Sequence, residues 1–347
     1  MRNIWLVLLL MASGVAQAAS FDCAKAKTPQ EKAICASPEL SAADEDMATA
    51  YRAVLKSTPP EMVAAVREGQ RQWLRSIAIT CADRKDAIPG LMEECLKQEY
   101  RDRTDVLRGS LVWREGIQFV WRSVTLTASD DPESAQNDRE RGVLSDHGTL
   151  NASWPQANNK SPEWQAWNVA MEDAVRNMVS NRAQPGGGWK LEWAVDRDTD
   201  VTVRIGFVGQ ELVTATLTNQ WYGHGAAHPN TGSIQFNWLL KEKRELRPED
   251  VFRPDSGWDR TIYTHCNKDL QMQLGEDYQK TRQPSDMMSK ELNAIIANPH
   301  NWKLDGEGLS IMFGRYSVSC YACPVIPVTV PWETLQPFLQ KRFVIPE

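Results

Sequence analysis

The sequence predicts two different folds in one chain: an all-α N-terminal helical bundle stapled by disulfides, followed by an α+β domain with an antiparallel sheet. Three observations predict this arrangement. The chain has 347 residues, which is more than one ordinary compact core holds. Helix-start signals and apolar stripes fill residues 19–109, whereas the two-residue alternation of strands begins after residue 112. Four cysteines accompany the helices, as in small extracytoplasmic domains that need staples.

Residues 1–18 have the three parts of a secretory signal peptide. Arg2 supplies the positive charge, residues 4–11 form the apolar run, and Ala16-Gln17-Ala18 is the small-residue cleavage site. The apolar run is too short to span a bilayer stably, and no cysteine follows the cut directly. We therefore expect cleavage after Ala18 and an exported product, periplasmic or secreted, with neither a membrane span nor a lipid anchor.

The net charge disfavours some classes of partner. The formal charge is −6, and loss of Arg2 with the signal peptide removes one positive charge from it. A protein of this charge is not expected to bind nucleic acid or an anionic membrane as its main partner. Its association with a cationic protein would be favoured.

Helix starts in residues 19–109 follow from residue chemistry. Thr28 is a good N-cap, Pro29 suits the first helical position, and Glu31 completes a capping box. The same pattern of a hydroxyl residue before proline recurs twice, and a last helix from about residue 90 ends at a glycine: Ser37, Thr58 and Gly109. Each start is followed by one apolar stripe, so we expect the helices to pack as a small bundle.

Two disulfides are expected from the four cysteines of this segment, Cys23, Cys35, Cys81 and Cys95. We favour Cys23–Cys35 with Cys81–Cys95, because each pair closes a short local loop. The alternative is Cys35–Cys81 with Cys23–Cys95, which an antiparallel helix hairpin would bring together. A four-cysteine zinc site is a further interpretation, and an oxidising compartment disfavours it.

Short motifs run through nearly all of the segment from about 20 to 108. They are Phe21-Asp22-Cys23, the run from Thr28 to Cys35, Gln70-Arg71-Gln72-Trp73-Leu74-Arg75, and Cys95 with Tyr100-Arg101-Asp102-Arg103. Together they resemble the N-terminal domain of the LprI family of lysozyme inhibitors. The resemblance implies an exported helical module, and it makes lysozyme binding a function to expect. Arg71 and Arg75 either bridge neighbouring helices, for instance to Asp44 or Asp46, or form a partner-binding face.

Residues 112–347 predict the α+β domain. Alternating apolar residues mark strands at 112–128, 150–154, 189–195, 201–207, 212–221, 234–238, 309–313 and 325–330. Residues 196–200 are predicted to form a charged hairpin turn, and helices are predicted at about 162–178, 258–274, 288–295 and 331–339. Strands that follow one another through hairpins favour an antiparallel sheet.

A glycine- and histidine-rich loop lies between two of these strands, at residues 223–232. Its glycines imply backbone at positive φ or close backbone approach. The run from Gly223 to His228, the later motif from Leu246 to Phe252, and Trp154-Pro155 followed by Asn168 resemble a domain of about 112–340. That domain is shared by the anti-sigma factor RsiV and the extracytoplasmic part of the deacetylase PdaC. Because RsiV-type domains include a lysozyme receptor, this resemblance also implies lysozyme binding.

Six residues are predicted to contact a partner: Trp221, Tyr222, His224, His228, Arg71 and Arg75. The two histidines lack the geometry of a helical zinc pair because glycine and proline surround them, and a backbone hydrogen bond in a tight turn is the alternative for His228.

The remaining three of the seven cysteines predict one more disulfide and one odd thiol. They are Cys266, Cys320 and Cys323. The bridge is expected either between Cys320 and Cys323 or from Cys266 to one of them. A zinc site with His265 or His300 is the disfavoured alternative, and we expect no metal and no cofactor.

We expect binding rather than catalysis. The sequence has no nucleophile elbow, phosphate loop or triad spacing, and no pair of carboxylates in an apolar context that would tune one of them. The two resemblances together predict an exported protein that binds or inhibits a lysozyme-type muramidase. The alternative is a module that binds peptidoglycan or another wall glycan, or an unrecognised cell-wall enzyme.

Overall fold

The computed structural model describes residues 19–81, 90–129, 147–179, 197–275, 285–315 and 325–346, and the single positions 133, 136, 140, 142, 189, 317 and 318. The described chain divides into two compact units. The first contains the described part of Met1–Thr58 together with Ile77–Leu111, and the second contains Pro59–Ser76 together with Val112–Glu347. The predicted signal peptide lies outside the described residues. None of the helices in the described ranges is long and apolar enough to cross a membrane.

The first unit is helical, as predicted. A short 3-10 turn at Cys23–Lys25 precedes a run of helices: α1 (Pro29–Ala36), α2 (Pro38–Ser57), the last residues of α3 (Pro60–Thr80) and α4 (Leu91–Arg108). The predicted capping box is present, since the Glu31 backbone donates to Thr28 Oγ1 and the Thr28 backbone donates to Glu31 Oε2. Helix α4 packs along α2, and its core residues Leu96 and Leu107 are buried.

The favoured disulfide pairing is confirmed. Cys23 bonds to Cys35 and Cys81 bonds to Cys95, with Cα atoms 5.7 and 5.6 Å apart respectively. The alternative pairing and the four-cysteine zinc site are therefore wrong. Both bridges are local because each joins a helix end to a neighbouring segment close in the chain: the Cys23–Lys25 turn to α1, and the end of α3 to the start of α4.

The second unit is the predicted α+β domain, with two sheets. The larger sheet has seven strands in chain order: β1 (Leu111–Arg114), β2 (Ile117–Ser129), β3 (His147–Ala157), β4 (Arg197–Val208), β5 (Leu212–Gly223), β6 (Asn230–Leu239) and β7 (Arg244–Glu245). The smaller sheet has the order β10 (Ile326–Pro331), β9 (Gly308–Phe313), β8 (Trp302–Leu304). Besides most of α3, the described α-helices of this unit are α5 (Pro162–Val179), α6 (Pro248–Val251), α7 (Trp258–Leu274), α8 (Ser285–Ala297) and α9 (Trp332–Leu335).

One strand pair of the larger sheet is parallel. Strand β4 lies beside β3 in parallel register from Thr149↔Asp198 to Ala152↔Val201, whereas the other pairs with a described register are antiparallel. Helix α5 lies between β3 and β4 in the chain, and a helical crossover returns the chain in the same direction. The predicted hairpin turn at 196–200 is wrong, because residues 197–200 form the start of strand β4. The strand predicted at 189–195 lies outside the described residues except for Trp189.

Helix α5 covers the apolar face of the larger sheet. Trp164 and Trp167 pack edge-to-face on Phe119 at 5.7 and 5.6 Å, so these tryptophans are core residues. Asn168 fixes the helix to β3, because its side-chain amide accepts from the backbone N of Ala157 at 2.7 Å and donates to the backbone O of Ala157 at 3.1 Å. This pair of bonds gives a structural role to the asparagine of the predicted motif.

Three residues of helix α3 contact strand β2 at successive turns. Gln72 Oε1 accepts a hydrogen bond from the backbone N of Thr125 at 3.2 Å, and Ser76 Oγ lies 2.6 Å from Thr127 Oγ1. At Gly69, an added Cβ would lie 2.7 Å from Ser123 Oγ and 3.0 Å from Ser123 O. Helix α3 therefore lies against the part of β2 from Ser123 to Thr127. These contacts place residues 59–76 with the second unit, although they belong to the helical segment of the sequence.

Candidate functional site

The loop between β5 and β6 is a tight turn with one left-handed glycine. Gly225 has φ +80°, which confirms the expectation of positive φ within this loop. Gly223 and Gly232 are not at positive φ, and a Cβ at Gly232 would meet open space. Tyr222 closes the turn, because its hydroxyl donates to the backbone O of Ala226 at 3.0 Å.

Two large aromatic side chains are exposed where β5 ends. Trp221 and Tyr222 each expose 36% of their surface. The guanidinium carbon of Arg197 lies 5.2 Å from the centroid of the Trp221 ring, within the range of a cation–π contact. His228 is also exposed. Trp221, Tyr222 and His228 therefore lie at the surface, where a partner can reach them.

His224 is in a different environment from the other predicted contact residues. Its side chain is only 4% exposed, and its Nε2 lies 3.2 Å from Asp198 Oδ2. The other oxygen of Asp198 accepts hydrogen bonds from the backbone N and the Oγ1 of Thr149 at 3.1 and 2.7 Å. This network joins the loop to β4 and β3, so His224 holds the loop in place rather than presenting a surface to a partner.

Replacing Gly225 with valine is expected to destabilise the second unit by about 1–3 kcal/mol, because a β-branched residue is strained in the left-handed region. Urea denaturation followed by tryptophan fluorescence measures this change. The matched control is Gly232→Val, which lies in β6, has no positive φ and has open space around its Cβ. If Gly225→Val unfolds at the same urea concentration as Gly232→Val and loses binding of a partner, the loop has a functional rather than a structural role.

Arg71 and Arg75 lie one turn apart on helix α3 and share one carboxylate. Arg71 Nη2 is 2.6 Å from Glu68 Oε2, and Arg75 Nη2 is 2.9 Å from Glu68 Oε1. Hydrogen bonds from the two guanidinium groups lower the pKa of Glu68. Both arginines therefore pair within their own helix, and a bridge to Asp44 or Asp46 stays a prediction. Their side chains are 58% and 63% exposed. Each guanidinium group has five N–H donors, and the single carboxylate of Glu68 cannot accept all of them, so some remain for a partner.

Cys266 is a free thiol in the core of the second unit, so the predicted alternative of a bridge from Cys266 to Cys320 or Cys323 is wrong. It lies on the buried face of α7, where burial raises the pKa of the thiol to about 12. Cys320 and Cys323, and therefore the predicted bridge between them, lie outside the described residues. Across the described ranges, no group of three or more histidine, cysteine, aspartate or glutamate residues is arranged to hold a metal ion.

The motif from Leu246 to Phe252 forms a rigid support. Asp250 receives two hydrogen bonds from Arg244, at 2.7 and 2.8 Å, and one from the backbone N of Arg247 at 2.8 Å. Hydrogen bonding by Arg244 lowers the pKa of Asp250. The carboxylate thus caps α6 and fixes the β7 strand beside it, while Val251 and Phe252 are buried in the core.

A cleft of about 310 Å³ opens beside this support, and sequence reasoning missed it. Its lining comes from separate stretches of the chain: Phe207, Gly209, Gln210, Glu211 and Leu212; Leu239 and Glu242; Asp250; and Arg342, Phe343 and Val344. No local motif joins these stretches, because the folded sheet and the C-terminal tail bring them together.

Two family models match parts of the chain. Residues 23–107 match the model of the family described as "Lysozyme inhibitor LprI". Residues 249–333 match the model of the family described as "Protein of unknown function (DUF3298)". The predicted LprI resemblance of the N-terminal segment is confirmed. The C-terminal match lies within the domain that resembles those of RsiV and PdaC, and its family name is DUF3298.

Two solved structures are similar to part of the chain. One is a member of the DUF3298 family from Bacteroides fragilis NCTC 9343, with 14% sequence identity and a TM-score of 0.40; it covers 64% of this chain and 94% of its own. The other is a DUF3298 family protein from Pseudomonas aeruginosa PAO1, with 14% identity and a TM-score of 0.42; it covers 64% of this chain and 95% of its own. No curated protein matches the chain.

Proposed function

We propose that the mature protein is an exported binding protein that engages a lysozyme-type muramidase, inhibits it, and does not hydrolyse peptidoglycan itself. The match of residues 23–107 to the lysozyme-inhibitor family carries this proposal. The two disulfides support an exported, oxidising location, periplasmic or secreted. The acidic net charge favours association with a basic enzyme.

The exposed arginine pair of α3 is the contact that fits this function best. Residues 71 and 75 lie inside the range that matches the inhibitor family. An inhibitor must block a cleft lined with carboxylates, and guanidinium groups bind carboxylates bidentately. Glu68 holds both side chains in one place, so less side-chain entropy is lost when a partner binds. Trp221, Tyr222 and His228 form a second candidate contact in the second unit, N-terminal to the residues that match the DUF3298 model.

We expect the double variant Arg71→Ala/Arg75→Ala to raise the Kd for the muramidase by about tenfold or more, since a desolvated charge pair contributes more than a rim contact. Calorimetric titration of the mature protein into the muramidase measures the change, with inhibition of the enzyme assayed in parallel. The matched control is Arg52→Ala. Arg52 lies in the same family segment, is 58% exposed and pairs with a glutamate at 2.6 Å, as Arg71 does.

Other outcomes assign the activity elsewhere. If the arginine variants bind as the wild type does and Trp221→Ala does not, the contact is the loop between β5 and β6. The control is Trp113→Ala, which removes another exposed tryptophan, 63% exposed against 36% for Trp221. If no lysozyme type binds and muropeptides bind saturably, the protein is a glycan-binding module and the proposed function is wrong.

A further inference from the structure

The cleft of the second unit has apolar walls that are held rigidly. The ring of Phe207 lies over Gly209 so closely that an added Cβ there would be 2.6 Å from it. Leu212 and Leu239 continue the apolar lining from β5 and β6. The absence of a side chain at Gly209 therefore allows the ring to take this position. Burial of one aromatic or branched aliphatic side chain in such a space is favourable.

The opposite wall is the C-terminal tail, which is anchored rather than loosely attached. The backbone N of Gln340 donates to Val251 O at 2.8 Å, and its side-chain Nε2 donates to Glu249 O and Phe252 O at 3.1 and 3.2 Å. Phe343 packs on Trp332 with ring centroids 5.5 Å apart. These contacts fix the wall, while Val344 at its rim is 61% exposed. A ligand would find this wall already formed, which lowers the entropic cost of binding.

Most of the charged residues that line the cleft are acidic. Three carboxylates line it, and Arg342 is the cation among the lining residues. Asp250 pairs with Arg244 and, at 3.6 Å, with Arg342, and Glu211 pairs with Lys241 at 2.6 Å. Glu242 is exposed, and none of the described residues forms a hydrogen bond with its carboxylate. A cation beside the cleft would therefore find an acceptor there.

We propose that this cleft receives an apolar side chain that neighbours a lysine or arginine, presented by the muramidase of the proposed function, on which this inference rests. The apolar side chain fills the space between Phe207 and Phe343, and the basic side chain pairs with Glu242. The volume of about 310 Å³ suits one large side chain rather than a long segment. Charge complementarity selects a basic protein as the occupant, because an acidic one would place its negative charge beside Glu242, the lining carboxylate that no described residue pairs with.

Two variants with the same charge change test the site. We expect Glu242→Lys to weaken muramidase binding by about tenfold, because the attraction between residue 242 and the basic side chain becomes a repulsion. Glu307→Lys reverses an equally exposed carboxylate away from the cleft lining, so long-range steering changes alike in both variants, and its affinity is expected to stay within about twofold of wild type. Thermal melts of both variants exclude loss of folding as the cause.

A second measurement needs no muramidase, so failure of the cleft and failure of the proposed function are distinguishable. Phenethylammonium and 3-phenylpropionate share a benzene ring on a short chain and carry opposite charges. We expect phenethylammonium to shift the methyl signals of Val344 and Leu239 saturably, and phenylpropionate to bind at least about tenfold more weakly. If the wild type does not bind the muramidase and this selectivity is intact, the proposed function and the named occupant are wrong, whereas the preference of the cleft for an aromatic cation stands. Equal binding of the two probes, or equal affinity of the two lysine variants, would overturn the inference.

Discussion

Replacing Gly308 with alanine is expected to destabilise the second unit by about 3 kcal/mol, at the upper end of the usual cost of overpacking a core. Gly308 faces Pro331 in the pairing of β9 with β10. A Cβ at Gly308 would lie 2.3 Å from the backbone O of Val330 and 3.0 Å from its carbonyl carbon. Backbone atoms of a paired strand cannot rotate away as a side chain does, so the alanine methyl must push the two strands apart.

The consequences extend beyond one strand pair. The residues that follow Gly308 on β9, Leu309 and Ile311, are 0% exposed, as are Val328 and Val330 on β10. Separation of the strands opens this core to water. Because the chain has more than one compact unit, its urea unfolding need not follow a single transition. The rate of amide hydrogen exchange in peptides from residues 302–313 therefore measures the loss of stability in the smaller sheet itself.

Gly314→Ala is the matched control for this change. Gly314 immediately follows β9, has no positive φ, and has no atom within 4 Å of an added Cβ. We expect its urea midpoint to stay at the wild-type value. A Gly308→Ala variant that matches Gly314→Ala in urea midpoint and in exchange would contradict the close approach of the two strands.

Local chemistry explains why the helical segment was predictable. The helix start at Thr28 depends on residues three positions apart, which form the capping box. The disulfides follow the same rule, since their partners are 12 and 14 residues apart. Interactions between residues so close in the chain can be predicted from a short stretch of sequence.

Long-range packing explains what the sequence did not predict. Gln72 contacts Thr125 and Ser76 contacts Thr127, and these partners are more than fifty residues apart in the chain. No property of α3 alone distinguishes a helix that packs on a bundle from one that covers a strand. The parallel register of β3 with β4 has the same origin, because hydrophobic alternation is identical in parallel and antiparallel strands.

The candidate site shows the same division. Positive φ at Gly225 was predictable, because glycine is the residue that adopts it without strain. The burial of His224 was not, since it results from the network with Asp198 and Thr149, which come from two other strands. The cleft was the least predictable feature, because its lining residues are far apart in the chain and come together only after folding.

Removal of the Cys81–Cys95 disulfide is expected to destabilise the first unit by about 2–5 kcal/mol, the range found for small exported domains. This bridge joins the end of α3 to the start of α4. Helix α4 carries the buried residues Leu96, Tyr100 and Leu107, so detaching its start weakens the core between α4 and α2. The variant Cys81→Ala/Cys95→Ala avoids placing a hydroxyl at Cys81, which is 2% exposed.

The matched comparison is Cys23→Ala/Cys35→Ala, because that bridge closes a loop of similar length and the chain-entropy term is therefore similar. We expect the smaller loss for this variant, since the Cys23–Lys25 turn has no buried residue whose packing would be lost with the bridge. Urea denaturation with hydrogen exchange of peptides from α4 measures both losses, and non-reducing peptide mapping of the wild type establishes the bridges first. Free thiols at all four positions in the exported protein, or an unfolding midpoint unchanged by dithiothreitol, would contradict the stapled bundle.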